Sequence, residues 1–126
     1  MTTKPDNPYN ALERIFHEPN RLAIMSALCA SAHGLTFNDL KSECELTDGN
    51  LSRHLKALED AGAVKIEKAF VGARPQTTIL LSEKGRESFV EYLKALEEVL
   101  QKAAQAIATD KKHARLPAPL AKLIRI

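Results

Sequence analysis

The sequence predicts a mainly α-helical domain with one small β-hairpin, an α+β fold, that ends in a long helix. Apolar residues recur at helical spacing from residue 11 to residue 62. The pattern then changes to β-branched and apolar runs on either side of Val71-Gly-Ala-Arg-Pro-Gln76, which is typical of a hairpin turn. After Ser82 one apolar stripe continues for about 25 residues, which corresponds to roughly 37 Å of helix at 1.5 Å per residue.

Two helices are predicted before Gly34. Apolar residues at i, i+3 and i+4 favour a short first helix over residues 11–17. A second helix is expected to begin near Glu18 and Pro19, because proline is tolerated in the first turn, and to stop before Gly34. Residues 1–10 contain two prolines and are expected to form a flexible arm.

Capping residues predict a third and a fourth helix joined by a very short connection. Thr36 fits the N-cap of the third helix, because Asp39 then takes the third helical position. Thr47 opens the fourth helix by the same logic, and Gly62 ends it where a left-handed residue is favoured. Only two or three residues around Leu46 separate the two helices, as in a helix-turn-helix.

The hairpin and the last helix complete the predicted order. Strands are expected over residues 64–70 and 77–81, so that residues 11–81 form one folded domain. Ser82 fits the N-cap of a long helix over residues 82–108. The remaining residues, 109–126, form a basic tail whose two prolines make further helix unfavourable.

The fourth helix has one apolar and one polar face. On a wheel of about 100° per residue, Leu51, Leu55 and Leu58 fall together and are expected to be buried. His54 lies close to the edge of this stripe and is interpreted as a packing or phosphate-contacting residue rather than a metal ligand. The exposed face carries small, polar and charged residues, namely Gly49, Asn50, Ser52, Arg53, Lys56 and, towards its far end, the acid Asp60.

This polar face suits the major groove of double-stranded DNA. Arginine hydrogen-bonds guanine and asparagine hydrogen-bonds adenine there, so Arg53 and Asn50 are candidate base-reading residues. Hydroxyl groups, lysine and helix N-termini more often hold phosphates. Thr47, Ser52 and Lys56 are therefore candidate phosphate contacts.

The hairpin that follows adds two further candidates. Arg74 lies in the predicted turn beside Gly72 and Pro75, and Lys68 lies on the incoming strand. Narrow minor grooves attract arginine side chains, so residues 70–76 are expected to reach a minor groove or the flanking phosphates.

The composition of the chain fits a single domain but does not by itself identify a binding partner. The chain has 126 residues with 44% hydrophobic and 27% charged residues, which suits one soluble domain. The net charge of +2 does not by itself argue for nucleic acid, because the excess of basic residues lies in the tail 109–126. With no signal peptide or membrane span predicted, a cytoplasmic location is expected.

Enzymatic, cofactor and metal chemistry find no support in the residues. There is no glycine-rich phosphate loop, and Ser52 and His54 are about 200° apart on the helix wheel, so they cannot act as nucleophile and base. Cys29 and Cys44 lack metal-ligand spacing. Two buried thiols are favoured over a disulfide or a metal site. We expect no enzyme activity, no cofactor and no metal.

These segments together resemble the winged helix-turn-helix transcriptional regulators of the broad MarR/ArsR type, in particular the small winged helix DNA-binding domain subgroup. The resemblance covers about residues 12–95. It rests on three segments: "EPNRLAIMSAL", "LTFNDLKSECELTDGNLSRHLKALEDAGAV" and "KAFVGARPQTTILLSEKGRESF".

The resemblance implies a homodimeric DNA-binding regulator, a repressor, on a pseudo-palindromic operator. Arg53 and Arg74 match the recognition-helix and wing positions, with Asn50, Ser52 and Lys56 as weaker matches. A small-molecule effector of unidentified chemistry is also implied. The long helix would supply the dimer interface, which the apolar stripe supports independently, through Phe89, Leu93, Leu96, Leu100, Ala103 and Ile107.

The sequence departs from the metal-sensing relatives in two respects. The Cys-x-Cys pair of metal-sensing relatives is missing, since the helix before the recognition helix holds only Cys44, and residues 82–108 contain no histidine. Metal sensing is therefore disfavoured. The alternative function is a winged-helix protein-interaction module that does not bind DNA, which would not need basic residues gathered on one surface.

Overall fold

The computed structural model describes residues 14–109, and the expectations for residues 1–13 and 110–126 lie outside this range. Two compact units divide it, one over residues 14–90 and one over the remainder of the last helix. The elements in chain order are α1 (Pro19–Cys29), β1 (Leu35–Thr36), α2 (Phe37–Cys44), α3 (Asp48–Asp60), β2 (Val64–Val71), β3 (Arg74–Leu81) and α4 (Glu83–Thr109). The predicted mainly α-helical fold with a hairpin and a long final helix is confirmed.

The helices begin at the residues that the sequence predicts. Glu18 caps α1 through one carboxylate oxygen, Oε1, which accepts from the backbone N–H groups of Asn20 at 2.7 Å and Arg21 at 2.9 Å. The Thr36 hydroxyl accepts from the N–H of Asp39 at 3.1 Å and so caps α2. Gly62 follows α3 with φ of 77°, as expected for a helix-terminating glycine.

The first predicted helix, over residues 11–17, is wrong in its described part. Residues 14–16 form a turn, in which the N–H of His17 donates to the carbonyl of Arg14 at 3.2 Å. Phe16 is nevertheless buried, and its ring meets that of Phe89 edge-on at 5.2 Å between centroids. Phe16 thus contributes to the core although the helix predicted from its spacing does not form.

The sheet has three antiparallel strands in the order β1-β3-β2, one more than the sequence predicts. The short strand β1 pairs only with Thr78 and Ile79 of β3. Two residues are too few to show an alternating pattern, so this strand could not be found by periodicity. Its pairing fixes the start of α2 against the base of the hairpin.

The hairpin turn is tighter than predicted. Val71 pairs directly with Arg74, so only Gly72 and Ala73 form the turn, and Gly72 takes φ of 66°. Pro75 therefore lies inside β3, where it pairs with Phe70. It is tolerated because β1 does not extend to this position, so one edge of β3 has no strand to receive an N–H.

The core of the unit over residues 14–90 lies between the helices and the base of the sheet. Its fully buried side chains come from the turn at Phe16, from every helix and from β3; the largest are Phe16, Ile24, Met25, Leu28, Leu40, Leu51, Leu58, Ile79 and Phe89. Burial of each such side chain contributes about 1.5–3 kcal/mol, which holds the three short helices in place.

The two cysteines are less buried than the sequence predicts. Both are free thiols, but Cys29 is exposed and Cys44 is only half-buried, so the prediction of two buried thiols is wrong. Cys29 is the last residue of α1, where the chain leaves the core. Burial, and secondarily the charge of Glu43, raises the pKa of the Cys44 thiol, which keeps it protonated at neutral pH.

Candidate nucleic-acid interface

Helix α3 turns its apolar stripe into the core and its polar face to solvent. Leu51, Leu55 and Leu58 are buried as predicted. His54 is buried with them, while Asn50 and Arg53 are exposed. The tight connection to α2 supports this arrangement, because Glu45 takes a left-handed conformation with φ of 54° and reverses the chain.

The N-terminus of α3 is exposed and its one first-turn acid is neutralised. The Thr47 hydroxyl accepts from the N–H of Asn50 at 3.2 Å, so Thr47 acts as the N-cap. Lys41 of α2 lies 2.8 Å from the carboxylate of Asp48. A phosphate approaching this helix end meets the positive end of the helix dipole rather than an uncompensated carboxylate.

Asn50 and Arg53, the two predicted base readers, contact each other. A guanidinium N–H of Arg53, on Nη2, donates to the side-chain oxygen of Asn50 at 3.1 Å, and both side chains are exposed. This hydrogen bond holds the guanidinium along the outer face of α3. Its remaining N–H donors stay available for a bidentate contact with guanine.

Lys56 lies one helical turn further along the same face. Its ammonium group is 3.7 Å from the carboxylate of Asp60, and both side chains are well exposed. Exposed ion pairs of this spacing are worth only about 0.3–0.5 kcal/mol, so a phosphate can readily replace the aspartate as the partner of Lys56.

A groove of about 300 Å³ joins α3 to the hairpin. It brings together three of the predicted phosphate-contacting side chains, Ser52 and Lys56 of α3 and Lys68 of β2. The rest of its lining is Phe37, Leu55, Glu59, Ile66 and Thr77. Glu59 is the one acid in this groove, and it lies towards the C-terminal end of α3.

Arg74 lies on the other face of the hairpin from Lys68. Lys68 pairs with Thr77 and Arg74 pairs with Val71, and successive residues of a strand point to opposite faces. Arg74 is exposed and lines a second depression of about 300 Å³ with Asn38, Val71, Pro75 and Gln76. The structure therefore does not bring the two predicted wing residues together on one face.

His54 supports the helix from behind. Its Nε2 atom lies 4.0 Å from the second carboxylate oxygen of Glu18, the residue that caps α1. The N–H of Arg21 lowers the pKa of Glu18 most, with the N–H of Asn20 and the charge of His54 adding to it. The contact ties the position of α3 to the start of α1, as expected for a packing residue.

Sequence reasoning missed two residues at this surface. Lys41 compensates Asp48 across the tight turn, and its signal was a basic residue in the last turn before that connection. Phe70 lies at the start of the predicted wing range 70–76, but no contact is predicted for its side chain, which is the most exposed large apolar one of the described chain. Its exposure depends on how the hairpin packs, which the sequence pattern does not give.

Within residues 14–109 no group of three or more His, Cys, Asp or Glu side chains is arranged to hold a metal ion. None of the helices in that range has both the length and the apolar character that a membrane span requires.

A capped helix behind a tight turn, followed by a two-stranded hairpin joined to it by a basic groove, defines a winged-helix DNA-binding protein. The chain belongs to the winged helix DNA-binding domain family, whose sequence profile matches residues 20–100. A protein of Methanocaldococcus jannaschii, described as uncharacterized, is 39% identical over 88 residues, which cover 70% of this chain and 91% of that protein.

Solved structures agree with this assignment. The structure of a transcriptional regulator homologue from Pyrococcus horikoshii matches with a TM-score of 0.70 at 28% identity, over 78% of this chain and 97% of that one. A MarR-family transcriptional regulator from Silicibacter pomeroyi matches with a TM-score of 0.57 at 22% identity, over 95% and 81%. MepR of S. aureus, solved as a DNA complex, matches with a TM-score of 0.62 at 19% identity, over 93% of this chain and 86% of that one.

Family and fold together are those of DNA-binding transcription regulators. The structural neighbours are MarR-like, as the sequence resemblance implied. This family and fold are those of transcription regulators, which are not enzymes.

Proposed function

We propose that the protein binds one specific double-stranded DNA sequence as a homodimer and represses transcription there. The observation that carries this proposal is the outer face of α3, where Asn50 and Arg53 are exposed and hydrogen-bonded to each other. The basic groove beside this face continues it towards the hairpin. MepR, a protein of similar fold, was solved bound to DNA.

In this proposal α3 enters the major groove by its N-terminal half. Arg53 contacts the O6 and N7 atoms of a guanine, and Asn50 either contacts a neighbouring adenine or keeps the guanidinium in position. Thr47, Ser52 and Lys56 contact the phosphates that border the groove. Lys68 extends these contacts onto the hairpin, and Arg74 reaches the next phosphate or minor groove from the far side of the turn.

The second subunit binds through α4. Three of its large apolar side chains stay exposed at a spacing of seven residues, Leu93 at 41%, Leu100 at 38% and Ile107 at 38% of their surface. Such a stripe matches the seam of paired helices. Leu96 is half-buried and Ala103 exposed beside it, whereas Phe89 is buried against Phe16 and is left out of the proposed interface.

A dimer of this kind places two copies of α3 in successive major grooves, so its operator has two half-sites about 10–10.5 base pairs apart. A protein that covers such a stretch of a promoter competes with polymerase for it. Repression is therefore the regulatory outcome that we propose.

Because the chain resembles MarR regulators, we also propose that it binds a small-molecule effector. Within residues 14–90 a cavity of about 160 Å³ lies between the turn at Phe16, the end of α3 and the start of α4. Sites for drug-sized ligands usually measure about 300–1,000 Å³, so this cavity accepts only a molecule of a few heavy atoms. Thermal shift measurements with small phenols and carboxylic acids test whether this cavity binds an effector. If none of these compounds raises the melting temperature, the proposed effector site is wrong.

Selection of duplexes from a random pool, followed by fluorescence anisotropy at 150 mM salt, tests the DNA-binding proposal. The wild-type protein should enrich one sequence and bind it at least about 1,000-fold more tightly than random duplex. Arg53→Ala should lose about tenfold in affinity, since a good bidentate pair is worth about 1–3 kcal/mol.

Arg86→Ala is the matched control, because Arg86 is an exposed arginine of α4 outside the proposed DNA-binding surface. It should bind like wild type. If no sequence is enriched, the alternative of a protein-interaction module replaces this proposal. If Arg86→Ala and Arg53→Ala lose the same affinity, α3 does not read the bases.

A further inference from the structure

Two large apolar side chains stand exposed next to the hairpin turn. Phe70 leaves 73% of its surface to solvent and Val71 leaves 60%. They are the most exposed large apolar residues of the described chain. A phenylalanine exposed to water on a strand just before a two-residue turn adds nothing to the core, so its exposure calls for a partner.

The register decides which of the two faces the recognition helix. Phe70 pairs with Pro75, and two residues back Lys68 pairs with Thr77. Side chains two apart on a strand share a face, so Phe70 shares the face of Lys68. That face lines the groove with Ser52 and Lys56 of α3. Val71 points to the opposite face.

The spacing along β2 places Phe70 beyond a phosphate. If Lys68 meets the phosphate backbone beside the major groove, Phe70 lies about 7 Å further on at about 3.3 Å per residue. The backbone separates the two grooves, so the next surface in that direction is the minor groove. Pro75, directly across the hairpin, stiffens the strand opposite the ring.

We propose that Phe70 is an apolar minor-groove contact that wedges into a base step beside each half-site. This inference rests on the proposed DNA binding and adds to it a side chain that reads deformability rather than hydrogen-bond pattern. Apolar wedges of this kind partly unstack one base step and bend the duplex, most easily at flexible pyrimidine–purine steps. The expected sequence preference is therefore a TA or CA step at a fixed distance outside the guanine that Arg53 contacts.

The charges around the ring favour DNA over an apolar protein surface. On the face that Phe70 shares, the groove holds two basic side chains, Lys68 of β2 and Lys56 of α3, against the single acid Glu59. A polyanionic partner matches this setting, and a minor groove also offers the sugar edges on which an aromatic ring packs.

Binding of the selected duplex by Phe70→Ala and Val71→Ala tests the inference. Both changes remove an exposed apolar side chain next to the same turn, so neither should alter the urea unfolding midpoint. Phe70→Ala should weaken binding at least tenfold, whereas Val71→Ala, on the opposite face beside Arg74, should weaken it clearly less. The slope of log affinity against log salt should stay unchanged in Phe70→Ala, because no phosphate contact is lost.

Unstacking of the base step by Phe70 is measured with 2-aminopurine placed at the predicted flexible step. Its fluorescence should rise when wild-type protein binds, because unstacking relieves quenching, and should stay flat with Phe70→Ala. Phe70→Leu, which keeps an apolar side chain, should restore part of both signals. Equal affinity of wild type and Phe70→Ala overturns the inference, as does a flat fluorescence signal with wild type.

The same experiment separates this inference from the proposed function. If wild type binds its selected duplex tightly and Phe70→Ala binds equally well, only the wedge is wrong. If wild type enriches no duplex at all, the DNA-binding proposal and the wedge are both overturned. If Val71→Ala loses as much affinity as Phe70→Ala, the register argument is wrong, and the turn binds through both faces.

Discussion

Ser82 joins the end of α3 to the start of α4 through one hydroxyl group. The hydroxyl donates towards the carbonyls of Gly62 at 2.6 Å and Ala63 at 3.0 Å, and it accepts from the N–H of Gly85 at 2.8 Å. The residue is buried, so water does not replace these partners. The N-cap was predictable from the sequence, but its link to residues twenty positions earlier was not.

Replacing Ser82 by alanine should cost about 1–3 kcal/mol of unfolding free energy, because it removes a helix cap and the hydroxyl's hydrogen bonds to the carbonyls of Gly62 and Ala63. Urea denaturation of wild type and Ser82→Ala measures this loss. Ser82→Thr keeps the hydroxyl and is the control, with a smaller expected loss. A change below about 0.3 kcal/mol for Ser82→Ala would contradict the assigned role.

Glu18 should make stability depend on pH. Hydrogen bonds from the backbone hold its pKa below the ordinary value of about 4.3, with His54 and Arg21 adding positive charge. A carboxylate with a lowered pKa stabilises the fold above that ordinary value, and this contribution is lost as the pH falls through the folded-state pKa. Glu18→Gln should therefore be less stable than wild type at pH 7.

The difference between wild type and Glu18→Gln should shrink as the pH falls below about 4. Urea denaturation of both proteins at pH 7, 5 and 3.5 measures it. A difference that stays constant over this range would mean that the charge of Glu18 does not contribute to the cap.

Two glycines in the first turns of helices differ in the space around them: one is tightly enclosed and the other is open. Gly85, in the first turn of α4, has the carbonyl oxygen of Ala63 only 2.0 Å from where a Cβ would stand. Gly49, in the first turn of α3, has nothing within 4 Å of that position. A side chain at residue 85 would push α4 away from the α3–β2 connection.

Gly85→Ala should therefore lose several kcal/mol of stability or fail to fold, whereas Gly49→Ala should be neutral or gain up to about 1 kcal/mol from helix propensity. Thermal unfolding followed by circular dichroism compares the two. A small effect at residue 85 would show that α4 begins differently from the structure described above.

Helix caps could be predicted from the sequence, whereas the shortest strand and the exact hairpin turn could not. Caps at Thr36, Thr47 and Ser82 were found because side chains that hydrogen-bond the adjacent N–H groups are few and distinctive. Strand β1 was missed because two residues carry no period. The hairpin turn was predicted too wide because a proline inside β3 reads as part of a turn until the pairing is known.

The candidate site was predictable as a set of residues but not as an arrangement. Amphipathic spacing found Ser52, Arg53 and Lys56, since a helix fixes which residues share a face. The hairpin register, which assigns Lys68 and Phe70 to one face and Arg74 to the other, depends on a turn length that the sequence left open.

At the scale of the whole molecule, Leu93, Leu100 and Ile107 of α4 should hold the proposed dimer together. Changing Leu100 to aspartate puts a charge into the middle of that stripe and should shift the protein from dimer to monomer in sedimentation equilibrium. Glu98→Lys, an exposed change on the same helix, is the control and should leave the dimer intact. A Leu100→Asp protein that stays dimeric would exclude this stripe as the interface.

The proposed function requires that two copies of α3 read successive major grooves of one operator. Methylation protection on the selected duplex tests it directly, because dimethyl sulfate attacks guanine N7 in the major groove. The wild-type protein should protect guanines in two patches about 10–10.5 base pairs apart, and Arg53→Ala should lose that protection at both. Protection in a single patch, or two patches unaffected by Arg53→Ala, would contradict it.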